Sequence, residues 1–249
     1  MRQVRAPGLD RIVGRHLHIW EIRRQVARRR DAESAAEASR GLGPYITISR
    51  LPWAEGDAVA RRVADRLGWE LFDRELVNFI ARDAKTYDQF VASLDERSRH
   101  AVDDWIQTAL DGASLGHLRY LRHLKRVLMT VALHGNAVIV GRGANFVLPP
   151  EAGLRILVTG SERERRRRLA AAKDLGPRQA AKALRQADGR RLDFLRTHFA
   201  AAAREAEHYD LVVSTDMLNV EAAATVITDS FYTLDRRPLP YPPAAGGEA

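Results

Sequence analysis

The chain has no cysteine, and that one absence removes disulfides, thiolate metal sites and a cysteine nucleophile together. It also leaves the redox character of the compartment unread. Lysine is nearly as scarce: Lys85, Lys125, Lys173 and Lys182 are the only ones, so the positive charge is almost all arginine. With so much alanine beside it, this arginine bias can follow from coding composition, and its abundance alone carries little functional weight. No apolar run approaches the roughly 18 residues of a membrane span, and the N-terminus lacks the apolar stretch and small-residue cleavage site of a signal peptide. A cytoplasmic protein with no transmembrane segment is the expectation. The eight histidines form no H-E-x-x-H or comparable ligand pair, and His16 and His18 lie near the N-terminus. No structural metal is predicted.

What is present suits a globular protein. At 249 residues, 45% hydrophobic and 29% charged, the chain can bury a sizeable core and is expected to form one main domain. The net charge of +8 is unevenly spread. Residues 1–30 hold nine arginines against Asp10 and Glu21, a net of +7, which leaves +1 for everything after them. The basic character therefore belongs to an N-terminal arm, and the arm, more than the fold, is where a polyanion or a partner protein would be gripped. Leu17, Ile19, Trp20, Ile22 and Val26 interleave with Arg and Gln over 15–30, the pattern of a basic amphipathic helix. The polar, alanine-rich stretch 31–43 reads as a linker. The expected organisation is a separable arm and linker over 1–43, a core domain over 44–235 and a flexible Pro/Gly/Ala-rich tail over 236–249.

Within the core, short aliphatic runs alternate with helical patterns. Strands are predicted at 45–49, 69–73, 137–140, 154–158 and 211–214. Val59, Val63 and Leu67 predict a helix over 57–67, and Leu118, Leu121, Leu124, Leu128 and Val131 a longer one ended by Gly135-Asn136. Strands separated by helices imply right-handed crossovers, hence an α/β three-layer sandwich around a mostly parallel five-stranded sheet. Ligands of such sheets bind beyond the carboxyl ends of the strands. Attention therefore falls on 50–58, 73–75, 141–145, the segment from Gly160 onward, and Thr215-Asp216.

The first of these joins strand to helix, where P-loop proteins bind phosphate on unpaired N–H groups at a helix N-terminus. A working P-loop reads G-x-x-x-x-G-K-[ST], with glycines for close approach, a Lys for the β/γ-phosphates and a hydroxyl for Mg²⁺. Here the residues are Arg50-Leu51-Pro52-Trp53-Ala54-Glu55-Gly56-Asp57-Ala58. In register, Gly56 occupies the Lys position. Pro52 removes an N–H, Trp53 adds bulk, and Glu55 and Asp57 add negative charge. A structural turn with no ATP contact is the competing reading.

Several runs together carry a resemblance: I-T-I-S-R (46–50), A-x-x-V-A-D-R-L-G-W-E-L-F-D-R-E-L (60–76), V-I-V-G-R-G-A-N (138–145), S-E-x-x-R-x-x-R-L (161–169), D-G-R-R (188–191) and Y-D-L-V-V-S-T (209–215). In order and spacing they resemble the cytidylate-kinase-like family, distant relatives of bacterial cytidylate kinase, over roughly 45–232. The resemblance implies a P-loop nucleoside-monophosphate-kinase fold with a helical insertion, and transfer of the γ-phosphoryl group of ATP, with Mg²⁺, to CMP, dCMP or a related small acceptor. Relatives usually carry G-S-G-G-R in the loop, already without the Lys. This chain departs further by losing those glycines, which bears on ATP use more than on the fold.

The same resemblance suggests roles for individual residues. Arg142, between Gly141 and Gly143, matches an arginine that helps bind the monophosphate, and a guanidinium fork suits phosphate. A structural turn and a dinucleotide fingerprint are alternatives, the latter lacking its third glycine. Asp188 and Arg191, one helical turn apart, match an Asp and an Arg of the nucleotide site; the alternative is an i,i+3 salt bridge. Asp73 matches an Asp on the monophosphate side, or else caps the next helix. Arg165 and Arg168 best match the spacing of lid arginines over the donor phosphates, whereas Arg163, Arg166 and Arg167 suit a solvated face. Asp95-Glu96-Arg97 also matches, without a chemical role. The donor would sit at the loop after Ser49, and Arg50 is the candidate substitute for the missing Lys. Two further readings stay open: a catalytically impaired nucleotide-binding regulatory domain, and an interaction module binding polyanions through the arm.

Overall fold

The computed structural model describes residues 8–29, 42–94, 96, 98–100, 102–103, 115–150, 152–199 and 206–233. Residues 31–41 of the linker, Asp95, Arg97 and the tail lie outside them. The chain divides into two compact units: residues 45–73 with 137–236, and residues 1–44 with 74–136 and 237–249.

The first unit holds the sheet. Its strands are β1 (Tyr45–Arg50), β2 (Glu70–Phe72), β3 (Ala137–Val140), β4 (Gly153–Thr159) and β5 (Leu211–Ser214), in spatial order β2-β3-β1-β4-β5. Every pairing is parallel, with Ile46 opposite Val138 on one side and Leu154 on the other. Two strand boundaries fall where the apolar runs predict them and three differ by a residue at each end or one end. β1 and β3 are buried almost end to end, as expected of parallel strands covered on both faces.

Helix α1 (Leu9–Arg29) belongs to the other unit, while α2 (Gly56–Leu67) follows β1 directly. Val59, Ala60, Val63 and Ala64 form the buried face of α2, and Gly68 closes it in the left-handed conformation, its N–H reaching Ala64 O and Asp65 O. This is the Gly-after-helix stop that its freedom of φ permits. Those side chains join Ile46, Ile48, Val138 and Ile156 of the sheet in one apolar cluster. The C-terminal helix of the unit adds Ala223, Ala224 and Ile227 to the cluster.

The second unit is helical. It contains α1, α3 (Arg74–Arg82), α4 (Ala84–Ala92) and α5 (Leu115–His134). Asp83 caps α4 by accepting from the Thr86 N–H at 2.9 Å. Trp20 of α1, only 4% exposed, stacks on His134 with ring centroids 3.7 Å apart and leans on Phe90 at 5.0 Å. Val13 and His16 of α1 are buried as well. Within this unit α1 presents its apolar side to the helices around it. Arg126 donates to the Tyr87 hydroxyl at 2.8 Å and pairs with Asp103. Burial raises the Tyr87 phenol above its ordinary value, outweighing the hydrogen bond from Arg126. No helix among the described residues is long and apolar enough to cross a membrane.

The remaining elements of the sheet unit are α6 (Ala144–Val147), α7 (Glu162–Lys173), α8 (Pro177–Phe199), a 3-10 turn at Ala206–His208, and α9 (Val220–Thr233). α6 follows β3, α7 and α8 follow β4 as a helical hairpin, and α9 follows β5. Because β1 lies between β3 and β4, the carboxyl ends of these three strands come together where the chain leaves the sheet in different directions. That is the place for a ligand in a parallel sheet.

Candidate functional site

In the loop from β1 to α2, two residues that carry side chains hold a backbone that favours glycine. Trp53 has φ 64° and Glu55 φ 57°, the left-handed region that costs a side-chain-bearing residue about 1 kcal/mol. Glu55 then serves as the N-cap residue of α2, its carbonyl accepting from the N–H groups of Ala58 and Val59 at 3.0 Å each. The N–H groups of Gly56 and Asp57, at the first turn, have no carbonyl one turn earlier in the helix to bond.

Arg50 ends β1 and lies along a groove made by two glycines. A β-carbon on Gly56 would overlap Arg50 Cβ and sit 2.8 Å from Arg50 Cγ, and one on Gly141 would sit 2.5 Å from Arg50 Nη1. Gly56 therefore cannot carry the Lys of an ordinary P-loop in this arrangement; the stem of Arg50 fills that space. The guanidinium reaches the first turn of α2, where it meets the Asp57 carboxylate at 2.8 Å from Nη2 and 3.0 Å from Nε. Arg50 is largely covered (side chain 18% exposed), whereas Asp57 is open at 65%. Such an exposed pair is worth under about 1 kcal/mol, so an incoming phosphate can compete with Asp57 for the guanidinium.

The second acidic residue of the loop is also matched. Arg168 Nη2 lies 3.3 Å from the Glu55 carboxylate. The same guanidinium donates to Thr215 Oγ1 at 2.8 Å and to Thr215 O at 2.5 Å. Thr215 Oγ1 in turn lies 3.2 Å from Ala54 O and from Thr159 O, so the end of β5 fastens the middle of the loop. The like-charge repulsion that Glu55 and Asp57 imply in the sequence is thus offset by Arg168 and Arg50.

Arg165 is buried on α7. It forms a two-pronged pair with Asp188 of α8, at 2.8 and 3.1 Å, and also donates to Pro52 O at 3.2 Å and Gly160 O at 3.1 Å. Arg165 and Arg168 have the register of lid residues, but in this structure they hold the loop carbonyls and the helical hairpin together. Asp188 does not pair with Arg191, the i,i+3 alternative; Arg191 instead points its Nη2 toward the Tyr209 hydroxyl at a long 3.5 Å.

Gly141, Arg142 and Gly143 all have positive φ, 71°, 55° and 67°. Gly143 is required by packing, since a β-carbon there would overlap the Phe199 ring and lie 2.8 Å from its Cδ2. Arg142 lies over the Phe194 ring, 4.9 Å from its centroid. Phe194 is one turn beyond Arg191 on α8, so Arg142 and Arg191 address the same stretch of that helix. Ser49 is buried and donates to Asn145 Oδ1 at 3.0 Å, a link between β1 and α6. Asp73 follows β2 directly and precedes α3, and it is partly buried.

The structure therefore gathers Ser49, Arg50, Gly56, Gly141, Arg165, Arg168 and Asp188 around the loop, and places Arg142, Gly143 and Arg191 on the side of α8. Sequence reasoning missed the pairing of Arg168 with Glu55, the fastening role of Thr215, Asn145, and the aromatic group of Phe146, Phe194 and Phe199. Thr215 ends a recognised run, so its place was readable; the aromatic residues lie in segments whose spacing says only that a helix is present. With Gly56 at the Lys position, the residue where a hydroxyl would hold Mg²⁺ is Asp57, whose carboxylate is engaged by Arg50. Among the described residues no cluster of three or more His, Asp and Glu side chains could hold a metal ion. Asp57 would reach the ion only on leaving Arg50.

The model of the family described as cytidylate kinase-like matches residues 45–217. Among solved structures, an uncharacterized protein from Eubacterium ventriosum is similar at TM-score 0.52 and 15% identity, over 76% of this chain and 99% of that one. A shikimate kinase from Bacteroides thetaiotaomicron gives TM-score 0.43 and 14% identity, over 76% of this chain and 98% of that one. No curated protein sequence matches. With that family matched over more than two thirds of its length, and with the strand order and loop placement described above, the chain belongs to the cytidylate kinase-like family.

Proposed function

We propose that this kinase-like protein binds ATP at the loop after β1 and a CMP- or dCMP-like acceptor beside α8, and transfers the γ-phosphoryl group between them. The observation that carries this reading is the groove of Gly56 and Gly141, which delivers Arg50 to the first turn of α2. A positive side chain, two open N–H groups and the positive end of a helix converge there, as a phosphate requires. Phosphoryl transfer depends chiefly on positioning and charge neutralisation, and Arg50 is the group able to supply both at this point. Arg142 and Arg191 are assigned to the acceptor phosphate. Arg165, Arg168 and Asp188 are assigned to holding the loop in its left-handed shape. Mg²⁺ accompanies ATP in kinases and neutralises phosphate charge; Asp57, in the register of its hydroxyl ligand, is paired with Arg50, so no step is assigned through it.

A second reading, a nucleotide-binding domain with impaired transfer, is favoured by one feature: both arginines nearest the loop are already paired with carboxylates. Release of ADP from ATP in the presence of CMP separates the two. Transfer by the natural protein, with kcat lowered about tenfold or more in Arg50→Ala, the loss of one charge-stabilising donor, supports the first reading. Saturable nucleotide binding with no CMP-dependent ADP release supports the second.

A further inference from the structure

The near-neutral charge of residues 31–249 conceals a strong separation. The hairpin of α7 and α8, residues 161–199, carries twelve Arg and Lys against five Asp and Glu, a net of +7. The rest of 31–249 is therefore at −6. Within the hairpin the charges near the loop are matched: Arg165 with Asp188, Arg166 with Glu162, Arg167 with Glu164 and Arg168 with Glu55.

The outer face of α8 is different. At about 100° per residue, Arg178, Lys182, Arg185 and Arg196 fall within an arc of about 60°, and Gly189, with nothing within 4 Å of a β-carbon built on it, falls on the same arc. All four basic side chains are exposed. The buried residues Ala180, Leu184 and Leu195 fall on the opposite side of the helix. Among the described residues none of the four is in an ion pair or hydrogen bond, and the one acidic neighbour on the arc is Asp193. The stripe runs 18 residues, about 27 Å along the helix axis.

We infer that this face of α8 is a binding surface for double-stranded nucleic acid, gripping the phosphate backbone without reading sequence. A rigid line of like charges in water is complementary to a partner that is itself a rigid line of opposite charge, and a duplex offers one negative charge per about 1.7 Å. An anionic membrane surface fits less well. Amphipathic helices that lie on membranes bury apolar side chains beside their cations, and among the described residues the exposed large hydrophobics are Ile12, Ile22, Val212, Met217, Val226 and Tyr232, none of them in the hairpin. Single strands are gripped through stacked bases on aromatic platforms, and the arc holds no aromatic side chain. Arg191 lies on the opposite side of α8 and Asp188, on its flank, is engaged by Arg165, so duplex and nucleotide would not compete for the same residues.

The full-length protein, titrated into a short fluorescein-labelled DNA duplex and followed by anisotropy over a series of salt concentrations, tests this. The combined substitution Arg178→Glu, Lys182→Glu and Arg185→Glu should weaken binding about tenfold or more and lower the steepness of its salt dependence by about three units. A control with the same charge change on exposed residues elsewhere, Arg61→Glu, Lys85→Glu and Arg122→Glu, should lose markedly less. If the reversal variant fails to fold, the corresponding triple alanine variant, which preserves helix propensity, carries the comparison and should show the same loss in smaller degree. No duplex binding by the natural protein, equal loss in stripe and control variants, or binding unchanged by the stripe substitutions would each overturn the inference. So would stripe-dependent binding to vesicles of anionic phospholipid without stripe-dependent binding to duplex.

Discussion

Among the described residues, five other than glycine hold positive φ: Trp53, Glu55, Asn136, Arg142 and Asp174. Three of them stand in the candidate site, where strain of this kind is retained when the surroundings over-determine it. Thr215, Arg165 and Arg168 do that here by bonding the carbonyls of Pro52, Trp53 and Ala54. Gly56 shows the converse, a glycine demanded by a neighbour's side chain and not by its own φ. Gly56→Ala should destabilise the protein by about 1–3 kcal/mol, the cost of forcing a methyl group into a packed position, in spite of alanine's better helix propensity. Thermal unfolding measures it. An unchanged or raised Tm would mean that Arg50 leaves the groove readily and does not fill it. At this scale the sequence told which residue types gather at the site. The spacing of Arg165 and Arg168 on one helix was legible, as was the place of Arg50 at a strand end. Their partners were not, because Glu55, Thr215 and Asp188 meet them across gaps of many residues, and a pattern along the chain carries no information about contacts through space.

The elements were more readable. All five strands are visible as aliphatic runs, most plainly β1 and β3, which are buried on both faces and need no alternation, and α2 declares itself through Val59, Val63 and Leu67. The basic N-terminal helix was legible as a helix, but not its packing: the arginines suggest an arm in solvent, while Trp20, His134 and Phe90 place its apolar side among other helices. The hairpin of α7 and α8 depends on one pair above the others. Arg165 has a side chain only 7% exposed and Asp188 one 24% exposed, and both oxygens of Asp188 are engaged. Removing one partner strands the other's charge, which costs about 3–5 kcal/mol when the pair is fully buried. Asp188 retains some water, so Asp188→Ala should lose about 3 kcal/mol or somewhat less in chemical denaturation. A cost near zero would show that Arg165 finds compensation from Pro52 O and Gly160 O alone, and that the hairpin is held by its apolar contacts.

For the whole molecule, charge is the property most misjudged from totals. A net of +1 over 31–249 suggests a fold indifferent to polyanions, yet it is the sum of a hairpin at +7 and a remainder at −6, and folding is what puts four of those cations on one face of α8. The proposed acceptor site, where Arg142 and Arg191 are assigned to a phosphate, draws on other residues of the same helix. Calorimetric titration with CMP tests that central assignment most directly. The natural protein should bind CMP saturably, and Arg142→Ala should bind it about 10- to 150-fold more weakly, the 1.5–3 kcal/mol of a hydrogen bond to a charged group. Absence of binding by the natural protein, or equal affinity in a correctly folded Arg142→Ala variant, would contradict it.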